Sequence, residues 1–175
     1  MLPWVIVSVV RLIIPLLILV FPFWGTLVSI IFADSLDVVY LDLLGVKDFS
    51  LYNPMDKLLD LYFYAILAFT LRKNSNQLFR KTAYVLFAWR LVGVMLYELI
   101  QARWLLLVFP NAFLAYVLVY LGVKIYLKKD LVTSNKSNFI FLTAVLIPKL
   151  IQEYLFHVAQ FPLYQTLKPI LSFLF

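Results

Sequence analysis

The chain contains no cysteine and a single histidine, which excludes disulfide bonds and thiolate metal sites and disfavours a zinc centre. Neither a glycine-rich phosphate loop nor a Gly-x-Ser-x-Gly motif occurs in it. Charged residues make up 14% of the chain, against about 25% in an average soluble domain. Hydrophobic residues make up 65%, with a mean hydropathy of +0.97. This composition predicts a single transmembrane domain over residues 1–175, with the lipid bilayer as its main surrounding partner.

The net charge of +6 raises the question of a nucleic-acid partner. However, the basic residues occur in short runs beside apolar stretches, and no stripe of alternating basic and aromatic residues is present. Basic residues flanking apolar spans are what the positive-inside bias of membrane proteins produces. We therefore predict no nucleic-acid binding.

Apolar runs of membrane-spanning length recur along the sequence and predict an all-α, polytopic bundle of about five transmembrane helices. The apolar run that follows Arg11 is longer than the core of a signal peptide, so we expect it to be retained as the first span. Pro15 and Pro22 should bend that span. The predicted spans are residues 11–33, 54–71, 82–101, 104–127 and 139–160.

Two segments outside these spans are expected to lie at the membrane surface. Residues 35–45 predict a short amphipathic helix, with Gly45 as its stop. Asp37 and Asp42 lie off its apolar face. The tail, residues 163–175, is too short to cross the membrane and should lie in the interface or on the bundle. The apolar face consists of Leu36, Val39, Tyr40, Leu43 and Leu44.

The charges of the connecting segments indicate an orientation. The segments 72–81 and 124–138 are basic, whereas the segment 34–57 is acidic. Because basic connections stay on the cytoplasmic side, five spans place the N-terminus in the cytoplasm and the C-terminus outside.

Arg90 lies near the middle of the third predicted span, where an unpaired guanidinium costs about 2.5–3.5 kcal/mol. In the fifth predicted span, Lys149, Glu153 and His157 follow one another at every fourth residue, which places them on one helix face. At about 1.5 Å per residue, Arg90 and Lys149 fall near the midplane and the other polar groups lie further out. We therefore predict a polar pocket open to the non-cytoplasmic side. Its residues are Arg90, Lys149, Glu153, His157, Glu98 and Asp60.

Purely structural interpretations of these residues are also open. Arg90 can form an interhelical ion pair with Asp60 or Glu153, and Lys149 can pair with Glu153 one turn away. Buried ion pairs contribute little net stability, because desolvation roughly cancels their attraction. Ionisable residues from three spans that converge at one depth therefore favour a functional site.

Three functions fit this pattern. The first is binding or translocation of an amphiphilic anion, lipid- or isoprenoid-like, with Arg90 and Lys149 as the anion's partners. A proton-coupled variant would use Glu153 and His157 as the groups that change charge.

The second function is a membrane-embedded enzyme that processes lipid or prenyl phosphates. Asp56 and Asp60 form a DxxxD pattern that can present two carboxylates to Mg²⁺, and Mg²⁺ would be needed only in that case. A second acidic motif within a span is missing, and Asp56 is also explained as an acid at a helix N-terminus. The third function is a non-catalytic subunit of a larger membrane complex, whose polar residues contact other membrane subunits. Whether the chain is an enzyme stays open at this point.

Overall fold

The computed structural model describes residues 2–46, 52–102, 104–155 and 159, and this part of the chain is all-helical, without strands. Three segments in it are long and apolar enough to cross a membrane: Leu2–Leu19, Gln77–Ile100 and Trp104–Tyr126. The helices are α1 (Leu2–Ile13), α2 (Pro22–Val28), α3 (Asp37–Leu43), α4 (Tyr52–Thr70), α5 (Gln77–Ile100), α6 (Trp104–Val108), α7 (Ala112–Tyr126) and α8 (Asn135–Glu153).

The N-terminal region folds back on itself. Helix α1 continues as a 3₁₀ helix over Ile14–Leu19, the chain turns before α2, and a π-helical segment follows over Ser29–Ser35. Gly25 on α2 packs so closely against the earlier limb that an added Cβ would lie 2.5 Å from the backbone nitrogen of Ile18. Residues 11–33 are therefore two limbs in contact, and the first helix begins at Leu2 rather than at Arg11.

Helix α3 coincides with the amphipathic helix expected over residues 35–45. It ends at Leu43, and Gly45 follows with φ +76°, a left-handed conformation that suits glycine. Leu43 and Leu44 are exposed on the outer surface. Asp37 lies off the apolar face as expected, yet it is 1% exposed and points into the protein rather than toward water.

The main core lies between α4, α5, α7 and α8 and is rich in aromatic rings. The ring of Phe79 stacks on that of Tyr120 with centroids 3.6 Å apart, and on that of Tyr116 at 5.4 Å. Phe113 packs edge-on against Tyr64. These fully buried rings fix the mutual positions of the helices that carry the polar groups described below.

The two basic connections, residues 72–81 and 124–138, are held by specific caps. The side chain of Asn76 accepts a hydrogen bond from the backbone of Phe79 and starts α5. Helix α8 starts with a capping box between Ser134 and Ser137. Its N-cap is therefore Ser134, so α8 begins four residues before the span predicted at 139–160.

Asp130, between α7 and α8, ties this end of the bundle together. Its carboxylate accepts hydrogen bonds from Asn76 Nδ2 at 2.9 Å, from the Val132 backbone at 3.0 Å and from the Tyr120 hydroxyl at 3.0 Å. Partial burial raises the pKa of Asp130, but these hydrogen bonds lower it more, and the result is a pKa below the usual value for aspartate.

Two of the predicted spans match helices that are less apolar than the three named above. Helix α4 covers the predicted span 54–71 and carries Asp56, Lys57 and Asp60. Helix α8 covers most of the span predicted at 139–160. The end of that span and the tail 163–175 lie outside the described residues.

The segment predicted as the span 104–127 is interrupted. Helix α6 ends at Val108 and α7 begins at Ala112, with Pro110 between them. Because proline lacks an N–H and restricts the preceding residue, a continuous helix is disfavoured here. The interruption leaves backbone groups of residues 108–111 to be satisfied by side chains of neighbouring helices.

Candidate functional site

Arg11 is the centre of the largest group of charges in the described chain. It is 4% exposed. Its Nη1 donates to Asp37 Oδ2 at 2.5 Å and to Asp56 Oδ1 at 2.6 Å, and its Nη2 donates to Asp60 Oδ1 at 2.6 Å. A fourth carboxylate, Asp34, lies 3.8 Å from Nη2. We call these four carboxylates and Arg11 the carboxylate cage.

The positions of the cage residues follow from the fold. Asp56 and Asp60 are one turn apart on α4 and face α1 together. The turn after Leu19 brings the segment with Asp34 and Asp37 back along α1. A guanidinium within an apolar helix has to be paired, and here three other segments contribute carboxylates to it.

Hydrogen bonds extend from the cage across the bundle. The Tyr64 hydroxyl donates to Asp60 Oδ2 at 3.2 Å and accepts from Asn111 Nδ2. The backbone N–H of Asn111 donates to Glu153 Oε1 at 3.1 Å, and Lys149 Nζ lies 3.1 Å from the same oxygen. We call the cage together with Tyr64, Asn111, Glu153 and Lys149 the polar network. It joins α1, α3, α4, α7 and α8.

Arg90 lies beside this network and differs from Arg11 in its partners. It is 7% exposed, and its Nη1 donates to the carbonyl oxygen of Phe109 at 2.9 Å. In the part of the chain that the structure describes, its Nε is buried and has no hydrogen-bond partner. Within the described residues no carboxylate lies at ion-pair distance from Arg90, although Asp60 is near enough to interact with it electrostatically. Among these residues, Arg90 is thus a buried cation whose charge is not matched by direct contact.

The break between α6 and α7 is the point where α5 and α8 meet the network. Arg90 satisfies the carbonyl of Phe109, Trp89 Nε1 donates to the carbonyl of Val108 at 3.3 Å, and Glu153 accepts from the Asn111 amide. Such substitution for lost helical hydrogen bonds is required inside a bilayer.

A glycine makes the approach of α5 possible. An added Cβ at Gly93 would lie 2.1 Å from Phe109 Cβ, so only glycine fits there. The face of α5 that carries Arg90 and Gly93 is therefore approached closely by the segment around Phe109. Because Gly93 is one turn from Arg90, this contact also sets the distance between the guanidinium and the break.

The structure brings together part of the residue set predicted for the pocket. Asp60, Glu153 and Lys149 belong to the polar network. Arg90 adjoins it without direct contact to these carboxylates. Glu98 is exposed and interacts electrostatically with Lys57. It is not a member of the network in the described chain. His157 lies outside the described residues.

Sequence reasoning missed Arg11, Asp34, Asp37 and Asn111 as site residues. Arg11 was treated as the flank of an apolar run that begins after it, although residues 2–10 are almost entirely apolar as well. A span counted from residue 2 places Arg11 at its centre. The available signal was therefore a central cation in the first span, together with an excess of aspartates between residues 34 and 60.

One subset of the cage has a spacing that a metal ion can use. One carboxylate oxygen from each of Asp34, Asp56 and Asp60 lies within 4.8 Å of the others. Arg11 contacts all three of these carboxylates, at 3.8, 2.6 and 2.6 Å. The guanidinium therefore supplies the positive charge that a cation would bring, and the DxxxD pattern serves an arginine in this arrangement.

Comparison with known proteins adds no relative: no family model, no curated protein and no solved structure matches the chain. The function has to be argued from the geometry of the polar groups.

Proposed function

We propose that the chain is a small polytopic membrane protein that binds, or translocates, an amphiphilic anion at a site formed by Arg90 and Lys149. In this proposal α4 and α8 cross the membrane together with the three more apolar segments, which gives five spans. The N-terminus lies in the cytoplasm, the C-terminus outside, and the site opens to the non-cytoplasmic side.

The observation that carries the proposal is the state of Arg90. A guanidinium offers five donors, and here one nitrogen binds a carbonyl while the buried Nε has no partner among the described residues. Burying a charge without a counter-charge is costly. An anionic head group that reaches Arg90 would supply both the missing acceptor and the missing charge, as guanidinium groups do for carboxylates and phosphates.

Lys149 supplies a second positive charge near the break, because it pairs with the Glu153 oxygen that binds the Asn111 amide. Its ammonium group is held by Glu153 and by Gln152 Oε1, the latter at 2.9 Å. Glu153 in turn is held by Asn111, two residues from the carbonyl that Arg90 binds. Both cations are therefore fixed relative to the α6–α7 break, and an anion there would lie between two helices.

An apolar groove of about 480 Å³ lies between α1 and α3, and neither Arg90 nor Lys149 lines it. Leu43 and Leu44 are exposed along it, so it faces the outside of the bundle. An acyl or isoprenoid chain buries its area favourably in such a groove, at about 25 cal/mol per Å². The lining residues are Ile6, Val7, Val10, Ile14, Phe32, Tyr40, Leu43 and Leu44.

The test is binding of lysophosphatidylglycerol to the purified full chain in a neutral detergent, with lysophosphatidylcholine as the zwitterionic comparison. We expect preference for the anionic lipid, and Arg90→Gln should weaken it by roughly 10- to 100-fold, as for loss of a buried charged hydrogen-bond partner. The matched control is Arg72→Gln, because Arg72 is exposed and contacts the ring of Phe69.

Equal binding of both lipids, or unchanged affinity in Arg90→Gln, would refute the anion site. Mass spectrometry of molecules retained after gentle extraction gives an independent reading. A homogeneous anionic lipid supports the proposal, whereas a stoichiometric protein partner without bound lipid would favour the accessory-subunit function.

A further inference from the structure

We propose that this anion site is coupled to protons: when the anion binds, the carboxylates around Arg11 take up protons. The inference rests on the proposed anion binding and names its coupling ion. It assigns the change in charge to the carboxylate cage, whereas the sequence alone indicated Glu153 and His157 as the groups that change charge.

The first argument is the balance of charges at the site. Carboxylates outnumber cations in the network and at Arg90, and the surroundings are a low-dielectric bundle. An incoming anion adds negative charge to a place that already has an excess of it, and this repulsion is strong where water is scarce. The cations are Arg11, Arg90 and Lys149, and the carboxylates are Asp34, Asp37, Asp56, Asp60 and Glu153.

The second argument is the crowding of the carboxylates. Oxygens of Asp34, Asp56 and Asp60 lie within 4.8 Å of one another. Carboxylates at such separations repel one another, so a proton taken up by one of them relieves the repulsion among the others. Arg11 offsets only one of the four negative charges of the cage.

The third argument is the connection between the cage and Arg90. Asp60 interacts electrostatically with Arg90, and Asp34 interacts in the same way with Lys149. Through Tyr64 and Asn111, Asp60 is also hydrogen-bonded to the backbone segment that Arg90 and Glu153 hold. A proton on Asp60 therefore increases the net positive potential that the anion meets.

Asn111 provides an independent sign that the network is not complete by itself. Asn111 is 8% exposed, and no donor among residues 2–46, 52–102, 104–155 and 159 reaches its buried Oδ1. Buried acceptors of this kind are uncommon and call for an additional donor. Like Arg90 Nε, it lies at the break where the anion is placed, and both atoms would gain partners from a hydrated or protonated head group.

The groups that face the cage define which titrations matter. Arg11, which belongs to the cage, comes from α1. The side chains of Tyr52, Lys57 and Tyr64 face the cage from α4. From the other helices, Arg90 on α5 and Lys149 on α8 act on it electrostatically. The lysine, arginine and tyrosine groups ordinarily titrate at about pH 10 and above, so the carboxylates are left to change charge.

Thermodynamic linkage makes the coupling between anion binding and proton uptake measurable. If anion binding takes up protons, anion affinity must increase as the pH falls, by the same coupling. Lysophosphatidylglycerol is a suitable probe, because its phosphodiester stays ionised while the protein titrates. Calorimetry in buffers of different ionisation enthalpy counts the protons directly.

We expect tighter binding of this lipid as the pH falls from about 8 to about 5, with proton uptake on binding. Asp60→Asn should bind more tightly than the natural chain at the higher pH and lose most of the pH dependence. Asp34→Asn, at the half-buried edge of the cage, should show the same change to a smaller extent and serves if Asp60→Asn does not fold. The control is Asp130→Asn, because Asp130 lies in the exposed connection after α7.

Binding that is independent of pH, with no proton exchanged, would overturn the inference while leaving the anion site intact. The inference would also be overturned if Asp60→Asn and Asp34→Asn both kept the pH dependence of the natural chain. Absence of preference for the anionic lipid at every pH is a different result, because it refutes the proposed function on which the inference rests.

Discussion

Replacing Arg11 by methionine is the most direct test of the carboxylate cage. Methionine keeps an unbranched apolar stem, two atoms shorter than the arginine side chain, and removes the positive charge. Three carboxylates then lose a donor at 2.5–2.6 Å and remain in a site that is largely shielded from water. We expect Arg11→Met to be folded but strongly destabilised at neutral pH.

The magnitude follows from the contacts. Each hydrogen bond to a charged group contributes about 1.5–3 kcal/mol. Removing one partner of a buried ion pair costs about 3–5 kcal/mol, because the other partner stays behind uncompensated. Protonation of the remaining aspartates limits the loss, so we expect the lower part of that range. At about 1.4 kcal/mol per factor of ten, this is a change of about 10²-fold or more in the unfolding equilibrium.

The assay is equilibrium unfolding of the purified chain in mixed micelles, followed by circular dichroism. Arg72→Met is the matched control, since Arg72 is exposed and should cost less than about 1 kcal/mol. Adding Asp37→Asn to Arg11→Met should recover part of the loss, because it removes one of the stranded charges. A stability of Arg11→Met within experimental error of the natural chain would refute the cage as an ionic structure.

Two further predictions concern stability. Gly93→Ala should destabilise the chain by about 1–3 kcal/mol in the same unfolding assay, because the new Cβ would lie 2.1 Å from Phe109 Cβ. Gly122→Ala should cost less, since its Cβ would meet only the ring edge of Phe23 at 3.0 Å, and equal effects would contradict this packing. The lowered pKa of Asp130 means that its ionised form stabilises the fold above its unfolded pKa of about 3.9 and that this contribution is lost as the pH falls further. Asp130→Asn should therefore be less stable than the natural chain at pH 7 and equal to it at sufficiently low pH, measured by unfolding at a series of pH values.

Much of the helical framework is predictable from the sequence. Long apolar runs separated by polar segments predict a helix at each of α4, α5 and α8, and the predicted starts lie two to five residues after the observed ones. Helix formation in an apolar medium depends mainly on local composition. The stop at Gly45 and the close approach at Gly93 were also predictable, because each depends on the absence of a side chain. The turn after Leu19 was not predictable from the sequence, because prolines can bend a helix without reversing the direction of the chain.

The site was predictable only in part, for a physical reason. Lys149 and Glu153 were expected to pair because residues four apart on a helix are neighbours. The partners of Arg11 come from three segments, and their meeting depends on the reversal after Leu19. Depth along a span can be counted from the sequence, but rotation about the helix axis cannot. For this reason the sequence allows a pair between Asp60 and Arg90, whereas in the structure Asp60 pairs with Arg11.

The interrupted segment between α6 and α7 has a consequence for how the chain is made. The Phe109 carbonyl in this segment accepts from Arg90, which is synthesised before it. The Asn111 amide donates to Glu153, which is synthesised more than forty residues later. Until α8 has packed onto the bundle, the Asn111 amide has no acceptor from Glu153. Truncation within α8 should therefore leave a chain in which the break between α6 and α7 is incompletely hydrogen-bonded.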